Sequence, residues 1–449
     1  MDLLKDNISS VYRKFLIAAF GSAFMTSIFS LVDAAVVGQY HGPVGVAAMA
    51  VIAPVWNILF SLGLLAGIGG SVLYAVKRGA RVSAAPANRY FTAALLTGAA
   101  LSFMAAIGLF LFDAPLLRLF GGEGELLELS LRYMVPIKWG VPLFIFANIL
   151  MAFLRNDGNP KLATLAVLAG GAFNVFGDYF FVFTCEMGIF GAGLATLIGE
   201  VIAVSVMSTH FLRRRSTLRL EMPLVPVLLA RRIVAVGFSA FFIDLAMGLL
   251  TMLFNRQILR YMGTDELAVY GVVVMVGTFV QCCGYGIGQG AQPILSQNHG
   301  AGAFRRVGKT LRYAIWTAVL VSAAWLAVLV AVPDAFVRLF MRPTESVLAI
   351  APGIVRVYAL AFVFLPLNVF STYYFQATLR PRTAFAVSLA RGFVFPAALL
   401  ILLPRLFGGA ALWWAVPLAE AAVAVGVIAA LRQRTKKPRL GTSEAGDPL

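Results

Sequence analysis

A few ionisable side chains stand inside long apolar stretches of this chain, among them Asp33, Asp178, Glu200, Asp244, Arg256, Arg391 and Glu420. A charge held in apolar surroundings is costly, and it persists mainly where it is paired or does work. Asp33 and Asp178 carry the strongest reading. Asn174 precedes Asp178 by four residues, so both side chains share one helix face. With Thr196 from the following stretch, these residues offer oxygen atoms of the kind that a hard cation such as Na⁺ takes. A low dielectric also disfavours a bare carboxylate, so the same group could take H⁺ instead. The competing reading makes these residues satisfied polar links between helices. Asp244 is the comparable candidate in the second half of the chain. Gln281, Gln289 and Gln292 lie together in one apolar run, where they either line a pathway or bond between helices. Glu200, Arg391 and Glu420 read as structural pairs or gate contacts. Arg256, near the end of its run, reads as a side chain reaching for the interface.

Other chemistries find little support. Gly284-Tyr-Gly-Ile-Gly-Gln-Gly290 looks like a phosphate loop but lacks the following Lys-Ser/Thr, and it sits within an apolar run. Cys185, Cys282 and Cys283 form no CxxC pair, which argues against a disulfide framework or a zinc site. His41, His210 and His299 fall near the ends of predicted helices, where a solvated loop role is the expectation. No Ser/His/Asp arrangement or nucleotide motif is present, so an enzyme is not expected and no cofactor is called for.

The elements that position these residues follow from composition. Of 449 residues, 60% are hydrophobic and 12% charged, against roughly 25% charged in a soluble domain. Lipid is therefore the expected solvent for much of the surface. With about 20 apolar residues needed per crossing, the chain gives spans at 15–38, 46–76, 89–112, 129–154, 161–184 and 189–212. After a basic loop come 233–261, 267–297, 307–332, 349–377, 384–404 and 410–431. Helices are required, because backbone groups in lipid must bond within their own segment, and the runs are too continuous for barrel strands. The first run is read as a span, since it is too long for a leader's apolar core and has no A-x-A site.

The basic excess, 36 Lys and Arg against 20 Asp and Glu, is distributed by loop. The N-terminus, the even-numbered loops and the tail hold most of it, including Lys77, Arg78, Arg155, Lys161, Arg213, Arg214, Arg215, Arg305, Arg306 and Arg380. The odd-numbered loops hold few basic residues and several acids, such as Glu123, Glu125, Asp265 and Glu345. This pattern places both termini in the cytoplasm, which an even helix count requires, and it argues against a nucleic-acid partner.

The two halves also repeat. Gly63, Gly67, Gly69 and Gly79 match Gly284, Gly288, Gly290 and Gly300 at a shift of 221. Asp113-Ala114 matches Asp334-Ala335 at the same shift, and Asn148 matches Asn368 at 220. The expected organisation is a six-helix lobe over 1–215, a basic inter-lobe loop over 216–232 and a second lobe over 233–432. A disordered cytoplasmic tail follows over 433–449. Parallel repeats of this kind place a substrate site between the lobes, and stacking and cation–π contacts with Phe, Tyr and Met there would suit flat organic cations.

Three blocks of residues carry a family resemblance. They are Leu31-Val-Asp-Ala-Ala-Val-Val-Gly38 with Gly45 and Ala53-Pro54; Leu154-Arg-Asn-Asp-Gly-Asn-Pro160 with Asn174-Val-Phe-Gly-Asp178; and Gly288-Gln-Gly-Ala-Gln-Pro293 with Asn298-His-Gly-Ala-Gly302. Over about residues 12 to 430 the chain resembles the multidrug and toxic compound extrusion (MATE) transporters, particularly their bacterial DinF-like branch. The resemblance implies an all-α membrane protein of twelve helices in two six-helix lobes around a central cavity. It implies a monomeric antiporter of the bacterial inner membrane that exports small organic cations in exchange for Na⁺ or H⁺. It also implies a cation site at Asp33, Asn174, Asp178 and Thr196. A flippase for a lipid-linked precursor is the alternative. Two departures stand out: the first helix has no proline, only Gly21, and the tenth has no acid for a second cation site.

Overall fold

The computed structural model describes residues 2–80, 84–212, 216–340 and 344–432, apart from the side chains of Pro43, Ala84, Asp244, Leu245, Thr264 and Phe340. The expected tail, with Arg213, Arg214, Arg215 and Arg342, lies outside the described residues.

Twelve helices are long and apolar enough to cross a bilayer. They are α1 (Ile8–Gly42), α2 (Val44–Gly79), α3 (Ala85–Leu119), α4 (Gly124–Asn156), α5 (Pro160–Thr184) and α6 (Gly188–Leu212). The second half supplies α7 (Pro226–Tyr261), α8 (Asp265–Gly300), α9 (Phe304–Ala331), α10 (Glu345–Ala377), α11 (Pro381–Phe407) and α12 (Gly409–Arg432). Each predicted span finds its helix, and most helices run past the apolar stretch that announced them. Many hold 33 to 36 residues, about 50 Å at 1.5 Å per residue, against a hydrocarbon core of about 30 Å. The overhanging turns are polar and amphipathic, so a hydropathy ruler stops short of them while backbone hydrogen bonding does not. A short helix, Pro333–Phe340, follows α9 and was not anticipated.

Local chemistry sets the ends. Asn7 caps α1 by accepting from the Ser9 amide, and Thr344 caps α10 through Val347. Pro160, Pro226 and Pro381 open α5, α7 and α11, where a missing N–H costs nothing. Gly42, at φ 66°, ends α1 and turns the chain directly into α2. α5 and α11 each contain a π turn, at Phe180–Thr184 and Ala390–Val394.

The two halves meet closely on the face that carries the chain's N-terminal segment and the end of α12; Leu3, Val307 and Val427 share one apolar cluster there. The repeated glycines make that meeting possible. A Cβ on Gly79 would lie 1.9 Å from the Gln297 carbonyl oxygen, and one on Gly300 would lie 1.9 Å from that of Val76. The ends of α2 and α8 thus cross backbone to backbone, as small residues allow in membranes. The described part of the link between the halves, from residue 216, is bonded to α3. The Arg219 amide donates to Asn88 and the Glu221 amide to Thr92, both on α3.

A candidate cation site in the first half

α1, α4, α5 and α6 bring the expected residues together inside the first half. Asp33 on α1 and Asp178 on α5 are buried, with exposures of 7% and 0%. Asn174 donates through Nδ2 to Asp178 Oδ1 and to Thr196 Oγ1, at 3.2 Å each. Thr196 passes its own hydroxyl hydrogen to the Ala192 carbonyl, which leaves lone pairs facing the cluster. The two carboxyls act on each other electrostatically. One member was missed by sequence reasoning. Tyr133 on α4, fully buried, donates to Asp33 Oδ2 at 3.1 Å. A lone tyrosine in an apolar helix has no periodic signature, so only the folded neighbourhood discloses it.

The decisive feature is unmet demand. Asp33 Oδ1 and Asp178 Oδ2 are buried and have no hydrogen-bond partner. Native proteins rarely leave such acceptors bare, and a buried bare carboxylate is more costly still. Two orphan carboxylate oxygens beside an amide and a hydroxyl make a donor set that fits a small hard cation or a proton. Glycine-lined packing seals the site: Gly170 and Gly199 allow α5 and α6 to touch backbone to backbone.

The geometry is that of a buried polar cluster in a twelve-helix membrane fold, and comparison with known proteins shows the family. A model of the MatE family matches residues 18–180 and again 240–401. The chain belongs to the MATE family of multidrug efflux transporters. The double match has nearly the spacing of the internal repeat. Among curated relatives, multidrug export protein MepA of Staphylococcus saprophyticus is 23% identical over 437 residues, 95% of each chain. MepA of Staphylococcus aureus is 22% identical, covering 94% of this chain and 92% of its own. These relatives are named as transporters, not enzymes. The solved MATE multidrug transporter DinF-BH matches with a TM-score of 0.88 and 26% identity, over 97% of this chain and 99% of its own. An outward-facing MATE family transporter of the MOP superfamily matches at 0.88 with 20% identity, over 96% and 97%.

Several other expectations meet the MATE structure with different outcomes. Asp244 lies on α7, but its side chain is outside the described residues. Gln289, half-buried, and Gln292, buried, accept hydrogen bonds from Arg155 and Asn156 of the first half, at 2.5 and 3.4 Å, the bonding between helices that was one of the two expectations. Gln281 donates to Tyr285 and to the Met247 sulfur. Arg391 and Glu420, read with Glu200 as structural pairs or gate contacts, pair with each other: Arg391 Nε donates to Glu420 Oε1 at 2.8 Å, and Asn368 donates to Oε2 at 2.7 Å.

Three histidines read as solvated loop residues are otherwise placed. His210 and His299 are buried, and His41 Nε2 accepts from the Ile189 amide. His210 pairs with Asp157, which Arg78 and Thr217 also grip. Arg155, counted with the loop cations, is buried in the last turn of α4. Lys138, overlooked within its apolar run, pairs with Asp113 of α3. For His210, Arg155 and Lys138 a partner from a distant part of the chain accounts for the burial, and local sequence carries no mark of it; His299 is buried with Nδ1 lacking a hydrogen-bond partner among the described residues.

Proposed function

We propose that this MATE protein is a secondary antiporter that exports small organic cations in exchange for Na⁺ or H⁺, with Asp33, Asn174, Asp178 and Thr196 as the coupling-ion site and Tyr133 as its fifth member. The observation that supports it most is the pair of orphan oxygens, Asp33 Oδ1 and Asp178 Oδ2. A proton could settle on either without rearrangement. Na⁺ would require the Asn174 amide to turn its oxygen toward the carboxyls, because it now offers them N–H. The named functions of MepA and DinF-BH favour drug export over the flippase alternative, and the 26% identity to DinF-BH favours the DinF-like branch.

We place the protein in the bacterial cytoplasmic membrane with both termini cytoplasmic, on the distribution of basic loops, and take it as a monomer on the family resemblance. The first six helices move as one lobe and the last six as the other, with the substrate cavity between them; Gln281 and Asp244 are candidate contacts on the second-lobe side. Closure on the terminal face then makes the present shape outward-facing. Ion binding favours one orientation and substrate the other. A swing from 1:99 to 99:1 takes differential binding of about 5.5 kcal/mol.

The test is efflux of a fluorescent organic cation from proteoliposomes, driven in turn by a Na⁺ gradient and by a pH gradient. Exchange by the native protein under one gradient and its loss in Asp33→Asn, with insertion intact, is the expected result. Native rates in Asp33→Asn would remove this carboxyl from the mechanism.

A further inference from the structure

Arg155 is a buried guanidinium, 5% exposed, at the closed meeting of the two halves. Its hydrogen bonds go to neutral atoms. Nη1 donates to Gln289 Oε1 on α8 at 2.5 Å, and Nη2 donates to Ser22 Oγ on α1 at 2.9 Å, with the Met151 sulfur at 3.2 Å. The next residue, Asn156, repeats the crossing with Gln292. A charge buried among neutral partners is poorly compensated, so it is a poor device for simple stability. It suits a contact that must break and re-form.

The position of Arg155 gives that contact a second role. α1 and α4 are joined twice, by Asp33 with Tyr133 and by Ser22 with Arg155. Tyr133 and Arg155 stand 22 residues apart on α4, about 33 Å along a helix axis, and Ser22 lies about 16 Å from Asp33 on α1. The Asp33–Tyr133 and Ser22–Arg155 bonds are thus two ends of one α1–α4 contact, through which a tilt of α1 against α4 would be carried. Below it, the turn Asp157-Gly158-Asn159 is fixed by the grip of Arg78, His210 and Thr217 on the buried Asp157 carboxylate. Arg155 is therefore followed by a bonded turn and not by a loose loop, and its own bond leads to Gln289 in the second half.

We propose that Arg155 is the gate-positioning residue of this transporter: its bond to Gln289 latches the halves on the terminal face, and its bond to Ser22 passes the state of the Asp33 site to that latch. The second clause rests on the cation reading above. The first stands on the contacts alone.

The experiment places spin labels at Lys161→Cys on the first half and Arg305→Cys on the second, both exposed on the terminal face. It uses full-length protein in proteoliposomes with Cys185, Cys282 and Cys283 replaced. Pulsed dipolar spectroscopy reads the ratio of separated to closed populations. Arg155→Met and Gln289→Leu should each raise that ratio at least about tenfold, the worth of one hydrogen bond to a charged group. Gln289→Glu, which offers Arg155 a carboxylate, should lower it and slow efflux. Na⁺ or acid should shift the ratio in the parent protein and fail to shift it in Arg155→Met. Where Arg155→Met does not fold, the two Gln289 variants decide.

An unchanged ratio in Gln289→Leu, or the same direction of change in Gln289→Glu and Gln289→Leu, overturns the latch. Full ion sensitivity in a folded Arg155→Met overturns the transmission. Retained exchange in Asp33→Asn together with an opened Gln289→Leu fails the cation reading and leaves the latch standing.

Discussion

Replacing Asp157 by alanine should loosen the first half and the link between the halves together. The Asp157 carboxylate has no exposed surface and receives four groups: Arg78 Nη1 at 2.6 Å, His210 Nε2 at 2.7 Å, the Thr217 amide at 3.0 Å and the Thr217 hydroxyl. Breaking a fully buried pair costs about 3–5 kcal/mol. The Arg78 side chain keeps 33% exposure, so water recovers part of its loss, and about 2–3 kcal/mol is the expected total. For a unit of about 200 residues that corresponds to roughly 5–10 °C in melting temperature. The assay is thermal stability in detergent, followed by the surviving monodisperse fraction on size exclusion.

The pH dependence has a definite sign. Burial pushes the Asp157 carboxyl up, but the bonds from His210, Thr217 and Arg78 outweigh it and hold the group below the usual carboxylate range. A depressed folded value means that the contribution is complete above the unfolded value of about 3.9 and is lost as pH falls through the folded value. The native protein should therefore lose stability in acid below about pH 4, and the gap to Asp157→Ala should narrow there. A melting temperature within a degree of native at neutral pH would refute the claim that this carboxylate fixes the α4–α5 turn and the link.

Two further outcomes are expected. Arg391→Met leaves Glu420 buried and uncompensated and should lower stability by about 3–5 kcal/mol, while the double variant Arg391→Met/Glu420→Leu should recover most of it; melting of the three proteins checks this. Gly300→Val should hold the terminal face apart, since its Cβ would meet the Val76 carbonyl oxygen at 1.9 Å. Efflux should fall while expression and helicity by circular dichroism stay near native, and native efflux would show that the α2–α8 crossing need not close.

The class of protein was legible from composition and periodicity. Twelve apolar runs must become twelve helices in lipid, because each segment has to satisfy its own backbone, and the glycine repeat at a shift of 221 announced two similar halves. The one-turn spacing of Asn174 and Asp178 placed both on one face of α5, and the family resemblance named Asp33 and Thr196 as their companions. Tertiary structure decided which groups meet across helices. It added Tyr133 to Asp33, made a pair of Lys138 and Asp113, buried His210 against Asp157, and drew Arg155 out of the loops into the interface with Gln289. Those partners lie between 25 and 134 residues apart in the chain. A helix's own sequence fixes the face on which a side chain emerges, whereas packing alone fixes what that face touches and whether a charge finds water or a partner.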